Sequence, residues 1–173
     1  MPSRQDWGNA FLRCAQEDLD AAKALLRLDA AQVPYAALAM LFQMTFEKIG
    51  KSYLYKHSNQ PGEKIKNHAA ATKALSRMKS TRPAAWPALA SLFQPRNSEA
   101  LCIVEELEAS QPANSDRIFN LTGRRTGHLE FPWESLGTIK IPSADLPVVQ
   151  KLRSTPQVLM HLVKLADFLI KSI

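Results

Sequence analysis

The stretch from Tyr35 to His57, YAALAMLFQMTFEKIGKSYLYKH, is apolar on too many sides to be a surface helix. Tyr35, Leu38, Phe42, Phe46 (or Thr45), Ile49 and Tyr53 recur at three- and four-residue steps and mark one helical face. Ala37, Leu41 and Met44 widen that face beyond the stripe an outer helix presents. Such a helix is stable only when other elements cover it from several directions, so the chain is expected to be built around this segment. Pro34 suits the first helical position, where its missing N–H has no intrahelical partner anyway.

The flanking segments can supply the cover. Trp7, Phe11, Ala15, Leu19, Ala22 and Leu26 form one apolar stripe, which predicts a helix from near Asp6 to about Leu28. Ser58–Gly62 is a loop signal. Beyond it, Glu63 to about Met78 reads as a third helix, with Ile65, Ala69, Thr72, Leu75 and Met78 on one side. A short helix over Pro83–Phe93 is interrupted by Pro87. Ser98 is a plausible N-cap for a helix through about Ala109, with Leu101, Val104 and Leu107 inward. Periodicity then disappears from about 110 to 147, where prolines and Gly137 punctuate the chain. Phe119, Phe131, Trp133, Leu136 and Ile139 imply that this segment folds back over the bundle, with a short hairpin around Gly137. A short helix over Ala144–Arg153 and a final helix from Thr155-Pro156 follow, the latter with Val158, Leu162, Leu165, Ala166 and Leu169 inward. The expectation is a single all-α domain over 1–173. It is an antiparallel helical bundle of four to six helices, with an irregular insertion before the last helix.

Several function classes are disfavoured. The N-terminus is broken by charges before a signal-peptide core can form, and no run reaches about 18 uninterrupted apolar residues. With only two cysteines, Cys14 and Cys102, a reducing and therefore cytoplasmic setting is expected, with no membrane association. Those thiols and the scattered His57, His68, His128 and His161 have no ligand-pair spacing, so no metal is expected. Gly50-Lys51-Ser52 resembles the end of a phosphate-binding loop, but Thr45 stands where that motif needs its first glycine. No cofactor signature and no complete catalytic signature is present.

Charge carries the one positive clue. The net charge is +6, and its distribution is uneven. Lys48, Lys51, Lys56, Lys64, Lys66, Lys73, Arg77, Lys79 and Arg82 face a single acid, Glu63, within one window. Such a block attracts polyanions through Coulomb force and counterion release, although a solvated helical face has the same composition. His57 lies beside Lys51 and Lys56, and His68 among Lys64 and Lys66, so both histidines can approach one basic groove. Arg124 and Arg125, with Arg117 and His128, form a second basic spot, and arginine forks suit phosphate. Lys51, His57 and His68 are the candidates for acid–base chemistry on a phosphate, with Lys51 positioning it and either histidine as base or acid. The bland alternative makes His57 a partner of its own helix terminus.

The series Gln43, Glu47-Lys48, Lys51 and Leu54, followed by His68 and Leu75, resembles the second and third helices of the HEPN superfamily. The segment Leu129–Glu134 before a final helix is compatible with the same family. The resemblance implies an antiparallel helical bundle that commonly dimerises. Its members include RNA-cleaving toxins and defence effectors, non-catalytic partners of nucleotidyltransferases, and nucleotide binders. Ribonuclease members carry an arginine separated from a following histidine by four to six intervening residues. Here those positions hold Gly50, Lys51 and Ser52 before His57, and none before the other histidines is arginine. Lysine lacks the bidentate fork. Three readings follow. The first is a non-catalytic RNA- or nucleotide-binding module that works with a partner protein encoded nearby. The second is a variant metal-independent ribonuclease toxin. The third is a structural, homodimer-forming protein.

Overall fold

The computed structural model describes residues 2–59, 65, 70–80, 98–110, 133–135, 138–140 and 142–173. The protein is an all-α helical bundle. Helix α1 (Arg4–Leu25) leads through a short 3₁₀ turn at Ala30–Gln32 into α2 (Tyr35–His57). Helices α3 (Ala70–Ser80) and α4 (Ser98–Ala109) follow. Strands β1 (Trp133–Ser135) and β2 (Thr138–Lys140) pair antiparallel, Glu134 opposite Ile139, which is the hairpin expected around Gly137. The chain closes with α5 (Pro142–Asp145), α6 (Pro147–Ser154) and α7 (Pro156–Ser172). The expected helix over Pro83–Phe93 and most of the 110–147 segment lie outside the described residues.

Helix α2 is the axis of the bundle and packs against α1, α3, α4, α5, α6 and α7. All six residues of its expected face are buried, and Gln43, Thr45, Ser52 and Leu54 are buried too. The buried side chains of the described helices join one cluster, in which Phe42, Leu38, Ile103, Leu107, Leu152 and Leu162 are among the largest. The inward residues expected on the last helix are all buried.

The structure differs from the sequence expectations in several places: Trp7, expected on the apolar stripe of α1, is exposed, and Pro34 precedes α2 rather than opening it. Helix α1 starts at Arg4, because Ser3 caps it reciprocally. Asp6 N–H donates to Ser3 Oγ at 3.1 Å, and the Ser3 amide donates to Asp6 at 2.8 Å. The expected helix over Ala144–Arg153 is two pieces, since Pro147 lacks the N–H to continue α5 and instead opens α6. The buried side of α3 carries Ala70, Ala71 and Ala74, while Thr72 and Leu75 are only half-buried.

The reason for that rotation is steric. A Cβ placed on Gly50 of α2 would lie 2.5 Å from the Ala70 carbonyl oxygen and 2.7 Å from Ala71 Cα. Helices α2 and α3 therefore meet backbone to backbone, and only glycine opposite alanine permits that approach.

Candidate nucleic-acid interface

Helix α2 carries four of the basic candidates, and its surroundings treat them differently. The Lys48 ammonium lies 2.5 Å from the Asp18 carboxylate of α1, and both side chains are mostly buried. Lys51 lies 2.5 Å from Glu47, one turn back, and its Nζ sits 5.8 Å from the centroid of the Phe11 ring. Each of these charges is balanced at short range by an acid, Lys48 across to α1 and Lys51 within α2 itself.

Toward the end of α2 the pattern changes. The stem of Lys56 crosses α1 at Gly8, where a Cβ would meet its Cγ at 2.7 Å. Its Nζ donates to the Ile173 carbonyl oxygen at 3.2 Å, and partial burial lowers its pKa. His57 is exposed, with its ring tilted against Tyr53 at 4.9 Å. Desolvation, then the Lys56 charge, holds the His57 pKa below the usual imidazole value, so it is mainly neutral at pH 7. A neutral imidazole beside an ammonium can accept or donate a hydrogen bond to a polar ligand.

The last turn of α2 is fixed by Arg4, a residue that sequence reasoning left unassigned. Its guanidinium donates to the carbonyls of Leu54 (3.1 Å), Tyr55 (3.1 Å) and Ser58 (2.6 Å). It also lies 5.4 Å from the centroid of the Tyr55 ring. These carbonyls lie at the end of α2, where the Leu54 oxygen also accepts from the Ser58 amide and hydroxyl, and a cation there complements the helix dipole. Arg4→Ala should therefore destabilise the protein by about 1–3 kcal/mol. Thermal unfolding would read this as a drop of several degrees, only partly restored in Arg4→Lys.

A second polar site lies at the junction of α2, α3 and α4. The carboxylate of the buried Glu108 accepts from the amides of Ala71 and Thr72 at 2.9 Å each, and also from the Thr72 hydroxyl. Desolvation outweighs those donors and pushes its pKa up to about 7, with Glu47 and Glu105 adding repulsion. The side chain acts as an N-terminal cap supplied to α3 by another helix. No local spacing announces such a contact.

The remaining basic candidates, Lys64, Lys66, His68, Arg124 and Arg125, lie outside the described residues. The structure thus brings Lys56 and His57 together at one end of α2 and sets Lys48 and Lys51 along its α1-facing side. Cys14 and Cys102 are free and exposed. Among the described residues, no group of three His, Cys, Asp or Glu side chains is placed to hold a metal ion, and no helix is long and apolar enough to cross a membrane. No protein-family model, curated protein or solved structure matches the chain.

Proposed function

We propose that this protein is a HEPN-like, non-catalytic module that binds RNA or a nucleotide in the cytoplasm. As the family resemblance implies, it would act as a homodimer or beside a partner protein such as a nucleotidyltransferase, or within a toxin or defence system. The observation that carries the reading is the charge imbalance from Lys48 to Arg82, nine Lys or Arg against one acid. Such an excess attracts a polyanion, and Lys56 carries part of it at the end of α2.

The ion pairs favour binding over cleavage. Lys51, the one cation at a position where the ribonuclease members of the family carry arginine, is held by Glu47. A cation already balanced by a carboxylate is poorly placed to stabilise the charge that develops on a phosphate in the transition state. The test is a gel with labelled RNA, with and without added magnesium. The expected result is a shifted band of intact RNA. Cleavage products that vanish in His57→Ala would overturn the non-catalytic reading in favour of the ribonuclease.

A further inference from the structure

The start of α1 presents an exposed aromatic ring beside the end of α2. Trp7 keeps 48% of its surface exposed, although it is among the largest apolar side chains in the protein. It is not loose. Its ring lies 6.3 Å from Tyr55 at an interplanar angle of 23°, and 6.3 Å from Phe11. Phe11 in turn stacks on Tyr55 at 5.6 Å. Tyr55 is buried and Phe11 half-buried, so the pair forms a fixed backing for the indole. Cations lie against this backing: Arg4 over Tyr55, Lys51, itself paired with Glu47, over Phe11, and the Lys56 stem across Gly8, the residue next to Trp7. The acid in the same turn, Asp6, is engaged by the Ser3 amide and hydroxyl.

We infer that Trp7 is a stacking platform for an unpaired base of single-stranded RNA, with Arg4 and Lys56 supplying positive charge near the adjoining phosphates. The inference rests on the RNA-binding reading above and places one contact within it. A preorganised aromatic ring with an open surface, set among cations, combines the two features that sequence-tolerant single-strand binders use. A polymer suits the chain better than a mononucleotide, because the sequence from Lys48 to Arg82 carries enough positive charge for several phosphates. A duplex would not use the ring, since its bases are already stacked on one another.

The test is fluorescence anisotropy with a short labelled oligouridine and with an RNA duplex, on the full chain. Trp7→Leu keeps apolar volume against Phe11 and Tyr55 but has no π face, whereas Trp7→Phe keeps one. The expected result is a loss of single-strand affinity of roughly five- to a hundredfold in Trp7→Leu, with most of it retained in Trp7→Phe. Duplex affinity should be the same in all three proteins. Equal single-strand affinity in wild type and Trp7→Leu would overturn the platform while leaving the binding module intact. Failure of the wild type to bind either RNA would overturn both. Equal losses in Leu and Phe variants, or a matching loss of duplex binding, would make Trp7 a structural residue and also overturn the platform.

Discussion

Gly50→Ala is expected to lower the melting temperature by about 4–10 °C, and Gly50→Val to prevent stable folding. In an ordinary helix the alanine change would help, since glycine costs up to about 1 kcal/mol relative to alanine in a helix interior. Here the added methyl would sit 2.5 Å from the Ala70 carbonyl oxygen and 2.6 Å from its carbonyl carbon. Both are backbone atoms of another helix, so relief requires α2 and α3 to move apart. That movement would loosen Phe46, Ile49, Ala71, Ala74 and Leu169, which meet at the same crossing. Gly8→Ala is the matched control. Its methyl would meet only the stem of Lys56, a flexible side chain that can swing aside, and the effect should be within about 1 kcal/mol of zero. Thermal melts of the two variants compare them directly. Similar behaviour would mean that the α2–α3 crossing is not backbone-close.

The second large effect is a pH dependence that belongs to Glu108. Its pKa rises from 4.5 to about 7 on folding, so between those values the folded protein binds a proton that the unfolded chain does not. Stability from this group is therefore fully present below about pH 4.5 and is lost as pH rises through about 7, with a slope of at most about 1.4 kcal/mol per pH unit. His57 acts in the opposite sense, because its lowered pKa removes stability as pH falls below the usual imidazole value. The comparison that isolates Glu108 is wild type against Glu108→Gln, both titrated with denaturant from pH 7.5 to 5. The gap should move in favour of the wild type as pH falls. A pH-independent gap would mean that the three donors at the first turn of α3 keep the carboxylate charged.

Much of the bundle was legible in the sequence. The central helix declared itself through Tyr35, Leu38, Phe42, Phe46, Ile49 and Tyr53, which are large and regularly spaced, and all of them are buried. The last helix followed from the same periodicity after Thr155 and Pro156. The buried side of α3 was misplaced because Ala70, Ala71 and Ala74 carry little hydrophobic signal beside Leu75. What selects them is the absence of a side chain at Gly50, some twenty residues earlier on another helix, which no helical window reads. The start of α1 had a readable sign, Ser3 with Asp6 three residues on, which marks a capping box.

The candidate site was legible as a charge excess and not as an arrangement. Lys48 and Lys51 look alike in sequence to Lys56, yet Asp18 and Glu47 balance the first two, and only the pairing of α1 with α2 brings Asp18 to Lys48. Arg4 gave no signal of its own and Trp7 read only as the start of an apolar stripe, because their partners Leu54, Tyr55 and Ser58 are some fifty residues away.

The binding claim is tested most directly by the affinity for a labelled single-stranded RNA measured across a series of salt concentrations. The account predicts measurable binding at low salt, falling at least about tenfold between ~50 and ~200 mM, as displaced counterions require when several phosphates are contacted. An affinity indifferent to salt, or no binding at the lowest salt, would contradict it and leave the basic residues after Lys48 as a solvated surface.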